Sequence, residues 1–295
     1  MFNSNKITEI KNIYKFFINI NVLSWLKINN KYYAKLIIPH NINDIKHILS
    51  QKLYSAKNII GRGSNLIIKN RHLNLILIKL SKYFNYFYKH ENTIVAGAGA
   101  LDIDVSNFAG SNFISGLEFL SSIPGTIGGA IAMNAGSYCV DVKKSLIGAK
   151  AINLHNGKIY IFNKDELEMK YRYNDLSKNW LFLEGKFKGI ENNKLSINNI
   201  VKEIQVRKVL LQPIKSRNIG SIFKNLHNYK IGNILEMCAL KGVCCGDIYF
   251  SKLHCNFLIN YKSAKILEFI FLIKIAKIRV KNKFNINLKE ELKII

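Results

Sequence analysis

The sequence is short of acidic residues and of arginine, and both shortages bear on its charge. Its 295 residues contain 44 Lys and Arg against only 19 Asp and Glu, which gives a formal charge of +25. Only six of the basic residues are Arg, the better ligand for bases and phosphates, and the lysines are scattered with no run of four. We interpret the surplus as a compositional bias rather than a nucleic-acid surface. Nucleic-acid binding stays open as an alternative, because a clustered basic patch gains affinity by releasing counterions.

Long apolar runs and paired cysteines are also missing. The stretch Ile266–Ile278 is broken by three charged residues, and is too short for the roughly 20 apolar residues of a membrane span. The first 20 residues carry charges throughout, so no secretory leader is predicted. The five cysteines are odd in number and lack C-x-x-C spacing. We therefore expect buried free thiols in a reducing cytoplasm, with no disulfide, no metal site and no membrane insertion.

The chain is 48% hydrophobic and contains only three prolines, so large buried cores can form. Its length predicts about two domains, and we place the boundary at the polar segment around Asn192 and Asn193. Residues 1–190, in two parts of residues 1–56 and 57–190, precede a smaller domain of residues 191–295. The predicted helices are Ile42–Leu53, Ile197–Leu211, Ile231–Leu240, Ala264–Lys281 and one that begins at Asn163. The predicted strands are Ile59–Gly61, Leu66–Ile68, Leu75–Leu80, Thr93–Ala96, Phe257–Ile259 and a hairpin of Ala149–Leu154 with Lys158–Phe162.

Two glycine-rich segments stand out. The first, Gly61-Arg62-Gly63-Ser64-Asn65, lies between two predicted strands, where glycines let successive backbone N–H groups face an anion. Alone it is most often an ordinary turn, and it is neither a Walker loop nor a Rossmann fingerprint. The second runs from Gly116 to Gly136 and contains Pro124-Gly125-Thr126, Gly128-Gly129 and Asn134-Ala135-Gly136. So many small residues favour close approach by a large flat ligand, although tight helix packing would also use them.

These segments and four further motifs resemble the UDP-N-acetylenolpyruvoylglucosamine reductase family, MurB. The first segment is similar to the family's Gly-x-Gly-Ser-Asn loop. The second is similar to its Gly-Ile-Pro-Gly-Thr-x-Gly-Gly stretch, with Ser122 in place of a usual glycine. The other motifs, in family order, are Tyr171-Arg172, Gly220–Asn225, Lys252–Asn260 and a C-terminal glutamate at Glu291. Together they span about four-fifths of the chain, which makes the resemblance highly specific.

The resemblance implies an α+β protein with two functional parts. Residues 1–190 would form a bipartite FAD-binding domain of the vanillyl-alcohol-oxidase/PCMH type, and residues 191–295 a smaller α+β substrate-binding domain. It implies bound FAD, NADPH as co-substrate, a UDP-sugar substrate and an enzyme of peptidoglycan precursor synthesis. We also expect a cytoplasmic protein, and a monomer rather than an oligomer. The FAD contacts that it implies are Gly61, Arg62, Gly63, Ser64, Asn65, Ser121, Pro124, Gly125, Thr126, Gly128, Gly129, Asn134, Ala135 and Gly136.

The resemblance also implies catalytic roles. Reducing an enolpyruvyl ether requires a hydride at one alkene carbon and a proton at the other. Ser221 would donate the proton, Arg172 would bind and polarise the substrate carboxylate through its planar fork, and Glu291 would complete the charge network. Glu290 is an adjacent competitor for the last role. The implied substrate contacts are Lys224, Asn225 and Lys293.

Some positions depart from the family pattern. Asn174 replaces a usual Ser, Leu226 a usual Pro and Lys293 a usual Arg. The replacement of Arg by Lys at position 293 would weaken a bidentate contact. The interval of 49 positions from Arg172 to Ser221 is typical of the subclass without an extra substrate-covering loop.

Other interpretations stay open on the sequence. A flavin oxidase that uses oxygen would share the FAD domain, but not the Gly220–Asn225 motif. A decayed reductase with little activity would retain the fold. His254 has no second His at ligand spacing, so we interpret it as structural rather than as a metal ligand or base.

Overall fold

The computed structural model describes residues 14–29, 33–51, 57–69, 76–227 and 229–295. Its helices are α1 (Ile42–Ser50), α2 (Asp102–Ser111), α3 (Ile127–Met133), α4 (Val142–Ser145), α5 (Lys194–Leu211), α6 (Ile231–Met237) and α7 (Ile266–Phe284). Its strands are β1 (Tyr14–Asn19), β2 (Tyr33–Ile38), β3 (Lys57–Ile59), β4 (Leu66–Ile67), β5 (Ile76–Ile78), β6 (Phe87–His90), β7 (Thr93–Gly97), β8 (Ile114–Ser115), β9 (Gly136–Ser137), β10 (Val140–Asp141), β11 (Leu146–Asn153), β12 (Ile159–Asn163), β13 (Trp180–Lys188), β14 (Ile190–Glu191), β15 (Cys244–Cys245), β16 (Ile248–Phe250), β17 (Leu258–Asn260) and β18 (Lys293–Ile294). This mixture confirms the predicted α+β class.

Most predicted elements are present with shifted ends. The hairpin around His155-Asn156-Gly157 is confirmed as β11 and β12, and α5 begins three residues earlier than predicted because Asn193 accepts a hydrogen bond from the Ser196 amide. The part of the helix prediction Ile42–Leu53 beyond Gln51 lies outside the described residues.

The helix predicted to begin at Asn163 is wrong. Asn163 does accept hydrogen bonds from the amides of Asp165 and Glu166, but the chain makes only a turn there. Glu168 has a left-handed φ of 42°, which interrupts a helical path, and the side chains of Leu167 and Met169 on either side of it are buried in the core.

The chain divides into two compact units. The first contains the described residues among Met1–Ile18, Ala34–Gly61 and Asn74–Asn198. It has an antiparallel sheet of order β12-β11-β13-β7-β6 and a second sheet of order β1-β2-β5-β3, in which β2 and β3 run parallel to β5. Helix α3 packs on β13 and β7. Two apolar clusters form its core, one around Ile94, Ile127, Ile131 and Phe187 and one around Ile45, Ile76 and Leu181.

The second unit contains the described residues among Asn19–Tyr33, Arg62–Leu73 and Asn199–Ile295. Its small antiparallel sheet, β15-β16-β17, packs against α7. The buried face of α7 carries Phe269, Leu272, Ile273, Ala276 and Val280, which follow the three-and-four spacing of an amphipathic helix. Next to this core, β18 pairs in parallel with β4, which brings the C-terminal residues beside the first glycine-rich segment. The domain boundaries predicted from the sequence stay a prediction.

All five cysteines are free thiols in this fold, but not all are buried. Cys238 and Cys255 are buried, whereas Cys139 and Cys244 are exposed. The prediction of burial is wrong for the exposed pair because Cys139 lies in the two-residue turn between β9 and β10, and Cys244 on the edge strand β15.

Candidate active site

In the first unit, the second glycine-rich segment forms a tight turn that leads into α3. The amides of Ile127 and Gly128 donate to the carbonyls of Ala100 and Ala98 at 2.9 Å, which fixes the start of the helix on the end of β7. A Cβ at Gly128 would lie 2.8 Å from the Cβ of Ala98, so a side chain cannot be accommodated there. Gly129 is exposed and therefore presents bare backbone at the surface.

The residues of this turn fit a flavin cofactor. The Ser121 hydroxyl is fully buried and has no hydrogen-bond partner among the described residues. A buried hydroxyl without a partner costs free energy, of the order of 1–3 kcal/mol, and a bound group with polar atoms would remove that cost. Together with the bare backbone at Gly129, Ser121 therefore supports the predicted FAD contacts of this segment, and FAD would be held here.

Asn134 and Arg172 are brought together in the same unit. The Arg172 guanidinium donates to the carbonyls of Asn134 and Gly136 at 3.4 and 2.7 Å, and it lies 5.1 Å from the ring centre of Tyr171. Its planar fork is thus oriented by backbone oxygens. Arg172 itself has a φ of 51°, a left-handed conformation that costs a non-glycine residue about 1–2 kcal/mol. Fixed orientation of a half-buried guanidinium is what bidentate capture of a carboxylate requires.

The Asn134 side chain, a predicted FAD contact, is bonded within the protein. It is buried, donates to Asp141 and to the Lys170 carbonyl, and accepts from the Lys143 amide. Both amide protons and the oxygen are therefore engaged by protein groups. This geometry makes Asn134 a support for the Arg172 turn, so a cofactor contact from this residue would come from its backbone.

The first glycine-rich segment is built around Gly63. Gly63 has a φ of +76°, and a Cβ there would lie 1.7 Å from the Leu23 carbonyl oxygen. The Gly63 carbonyl accepts from the Trp25 amide, and the Arg62 guanidinium lies 5.3 Å from the Trp25 ring centre. Only glycine allows this approach, so the local chain requires the residue that the motif supplies. Ser64 is half-buried in the same loop.

In the second unit, Asn65 links this loop to the predicted catalytic glutamate. Its side-chain amide donates to the Glu291 carbonyl at 3.2 Å, and its own carbonyl accepts from the Lys293 amide. Although much of Lys293 is exposed, its amine is partly removed from water, which lowers the pKa of Lys293.

Ser221 and Glu291 lie on paired segments of the second unit. The Glu291 amide donates to the Ile222 carbonyl at 2.9 Å, Phe223 pairs with Glu290, and the Lys224 amide donates to the Lys289 carbonyl. The residue after Ser221 is thus bonded directly to Glu291, although 70 positions separate Ser221 from Glu291 in the sequence. The competitor Glu290 forms an ion pair with Lys277 at 2.6 Å, which favours Glu291 for the charge network.

The predicted substrate contacts have mixed surroundings. The Asn225 side-chain oxygen accepts from the Ile231 amide and so caps α6, which uses the oxygen that a substrate donor would need. Leu226 closes a tight turn with Tyr229.

His254 accepts a hydrogen bond from the Asn256 amide at Nδ1, and burial lowers the pKa of its ring. These surroundings support a structural role for His254.

Sequence reasoning assigned no role to Asn256. Its buried side chain bonds both the amide and the carbonyl of Phe223, and its own carbonyl accepts from the Ile222 amide. The signal available in the sequence was a polar residue between two apolar ones inside the Lys252–Asn260 motif.

Comparisons with known proteins give family matches for both parts of the chain. Residues 212–295 match the family model described as UDP-N-acetylenolpyruvoylglucosamine reductase, C-terminal domain, and residues 33–163 match the model described as FAD binding domain. A UDP-N-acetylenolpyruvoylglucosamine reductase of Wolbachia sp. subsp. Drosophila simulans (strain wRi) is 36% identical over 291 residues, 98% of each chain. One of Pelagibacter ubique (strain HTCC1062) is 37% identical over 264 residues, 87% of this chain and 86% of its own.

The fold has a solved counterpart. The crystal structure of UDP-N-acetylenolpyruvylglucosamine reductase (MurB) from Thermus caldophilus aligns with a TM-score of 0.83 at 24% identity, and the alignment covers 96% of this chain and 99% of that one. The predicted α+β class with an FAD-binding domain is confirmed, and so is FAD as the cofactor. The chain belongs to the UDP-N-acetylenolpyruvoylglucosamine reductase family.

Proposed function

We propose that this chain reduces the enolpyruvyl ether of UDP-N-acetylglucosamine to the lactyl ether of UDP-N-acetylmuramate, with NADPH as reductant, in peptidoglycan precursor synthesis. FAD would be held by the turn that contains Ser121 and Gly129, and when bound it would supply hydride chemistry with NADPH as reductant. The roles of Ser221, Arg172 and Glu291 are assigned here by the family resemblance together with their surroundings.

The chain's own residues manage the charge that the hydride brings. Addition of a hydride to the methylene carbon leaves electron density on the neighbouring carbon, which delocalises into the substrate carboxylate. Arg172, whose guanidinium is oriented by the carbonyls of Asn134 and Gly136, binds and polarises that carboxylate. Ser221 then gives its hydroxyl proton to the carbon, and Glu291 completes the charge network.

The pairing of the Ser221 segment with Glu291 is the observation that carries this proposal. A serine hydroxyl is a weak acid, so it protonates carbon only when its position is held and the product charge is stabilised nearby. The bond from the Glu291 amide to the Ile222 carbonyl supports such an arrangement within one unit.

An absorbance spectrum tests the overall activity. We expect the purified protein to bind FAD and to oxidise NADPH only when the enolpyruvyl sugar nucleotide is present. Protein that stays colourless after FAD is added would contradict the proposal. Rapid NADPH oxidation by oxygen without the sugar nucleotide would indicate an oxidase.

Ser221→Ala tests the proton donor. We expect it to slow the reoxidation of reduced flavin by substrate and to leave flavin reduction by NADPH near normal. Ser216→Ala is the matched control, because the Ser216 hydroxyl lies in the same unit and donates to the Pro213 carbonyl. Equal loss in both half-reactions would make Ser221 a structural residue.

The monomeric state, the absence of nucleic-acid binding and the cytoplasmic location stay predictions, as does the subclass with the short Arg-to-Ser interval. In the part of the chain that the structure describes, no helix has both the length and the apolar character needed to cross a bilayer.

A further inference from the structure

We infer that Asn256 is a positioning residue for the proton donor Ser221, acting through the backbone of Ile222 and Phe223. The inference rests on the proposed role of Ser221 and adds a residue for which neither the family resemblance nor the comparisons give a role.

The side chain of Asn256 makes the two hydrogen bonds to Phe223 that the backbone of a neighbouring strand would make. Its Oδ1 accepts from the Phe223 amide at 3.0 Å, and its Nδ2 donates to the Phe223 carbonyl at 2.8 Å. Its main-chain carbonyl accepts from the Ile222 amide at 2.9 Å. A single residue thus binds three of the four backbone polar groups of Ile222 and Phe223. Because Asn256 is only 2% exposed, water cannot replace these hydrogen bonds if one of them is lost.

The opposite side of the segment is bonded as well. The Ile222 carbonyl accepts from the Glu291 amide, and the Lys224 amide donates to the Lys289 carbonyl. Both amides and both carbonyls of Ile222 and Phe223 are therefore engaged, and both side chains are completely buried. We call these hydrogen bonds around Ile222 and Phe223 the clamp. They leave no backbone amide or carbonyl of the two residues unbonded.

The residue before Ser221 is much less constrained. Gly220 has a φ of +80°, and a Cβ built on it would have no atom within 4 Å. The Gly220 amide is held by the Asn218 side chain, which belongs to the same loop. The position of the Ser221 hydroxyl consequently depends on the clamp that follows it. Asn256 supplies three of the hydrogen bonds of this clamp. Misplacement of a reacting group by about 1 Å can slow a reaction on the order of 100-fold.

Asn260 provides a matched control. It is 1% exposed, lies in the same unit, and makes the same kinds of hydrogen bond: its Nδ2 donates to the carbonyls of Leu26 and Lys27, and its Oδ1 accepts from the amides of Lys262 and Ala264. None of these partners belongs to the Ser221 segment or to the Glu291 segment.

The experiment compares Asn256→Asp with Asn260→Asp in the FAD-loaded protein. Each substitution keeps the volume and the acceptor, but replaces a donating amide by an oxygen that faces carbonyls. We expect Asn256→Asp to slow flavin reoxidation by substrate about 10- to 100-fold and to leave flavin reduction by NADPH within about twofold. We also expect it to raise the solvent deuterium isotope effect on reoxidation, since proton transfer becomes slower. Asn260→Asp should lower the thermal midpoint comparably without these changes.

Two results would overturn the inference. One is equal behaviour of the two variants in both half-reactions; the other is an Asn256→Asp variant that slows both half-reactions alike. If Ser221→Ala leaves reoxidation unchanged, the proposed role of Ser221 fails first. If Ser221→Ala slows it and Asn256→Asp does not, only the role of Asn256 fails.

Hydrogen exchange of the unsubstituted protein without ligands gives a measurement that does not depend on activity or on variants that fold. We expect the amides of Ile222 and Phe223 to exchange only by global unfolding, and the Ser221 amide to exchange faster. Exchange of Phe223 at the rate of Ser221 would show that the clamp does not hold.

Discussion

Gly63 and Gly220 allow a steric effect to be separated from a conformational one. Both have left-handed backbones, with φ values of +76° and +80°. Replacement by alanine at either position therefore costs about 1–2 kcal/mol for the unfavourable conformation. Only at Gly63 would the new methyl carbon overlap another group, the Leu23 carbonyl oxygen at 1.7 Å; at Gly220 there is no atom within 4 Å.

The additional cost at Gly63 follows from that distance. A carbon and a carbonyl oxygen in contact lie about 3.3 Å apart, so the loop or Leu23 must move by about 1.5 Å. Such a shift breaks the hydrogen bond from the Trp25 amide to the Gly63 carbonyl and separates Arg62 from the Trp25 ring. A lost hydrogen bond contributes about 1 kcal/mol and the cation–π contact about 0.5–1 kcal/mol. Gly63→Ala should therefore destabilise the second unit by about 3 kcal/mol in total, against about 1–2 kcal/mol for Gly220→Ala.

Urea unfolding followed by tryptophan fluorescence measures this difference. The two tryptophans are Trp25 and Trp180, one in each unit. In a Trp180→Phe background, the signal of Trp25 therefore reports the second unit alone. We expect Gly63→Ala to lower the unfolding midpoint about twice as far as Gly220→Ala, and to weaken FAD binding besides. Equal midpoints for the two variants would refute the steric argument and the Gly63 geometry behind it.

Three further outcomes are expected. Cys139→Gly should raise the stability of the first unit by about 1 kcal/mol in urea unfolding, because Cys139 has a φ of 67° in a turn that glycine adopts without strain. In native protein at pH 8, a thiol reagent should react rapidly with the exposed Cys139 and Cys244 only, while burial raises the pKa of Cys255 to about 12 and keeps it unreactive until unfolding. Burial also lowers the pKa of His254 below 6.5. The contribution of the neutral ring to stability is therefore complete above pH 6.5 and is lost as the pH falls through the lowered pKa. The decline in the free energy of unfolding on the acid side should be shallower in His254→Gln, and identical slopes for the two proteins would contradict this.

The sequence could predict the parts of the site that depend on local geometry. Gly63 and Gly136 are required where the chain approaches itself, since a Cβ at Gly136 would lie 2.5 Å from the Val140 carbonyl oxygen. A glycine requirement of this kind is encoded at the position itself, which is why a motif can carry it. The pairing of Ser221 with the Glu291 segment is different. Only the resemblance to a family indicated it, because no local pattern relates residues 70 positions apart.

The remaining parts depend on tertiary context. Helix α2, for which no helix was predicted, begins at Asp102 without a side-chain cap, so the usual signal for a helix start was missing. Asn163 shows the opposite case, since it makes the hydrogen bonds of a cap although only a turn follows. Asn134 and Asn256 are both buried asparagines that hold the backbone of another segment. In a chain with 36 asparagines, their places inside the Asn134–Gly136 and Lys252–Asn260 motifs set these two apart, but no local pattern indicates which backbone groups they bind.

One departure from the family pattern, Asn174, contacts α3. Asn174, in place of a usual serine, is 2% exposed; its Nδ2 donates to the Ile131 carbonyl near the end of α3, and its Oδ1 accepts from the Leu176 amide. Asparagine has a donor and an acceptor on separate atoms, so it satisfies both partners at once, and the substitution preserves the support of α3. Since α3 leads into Asn134 and Gly136, whose carbonyls orient Arg172, the change at this position leaves the hydrogen bonds that hold the Arg172 guanidinium in place. This argues for a working reductase over a decayed one, and the NADPH assay with the sugar nucleotide decides between them.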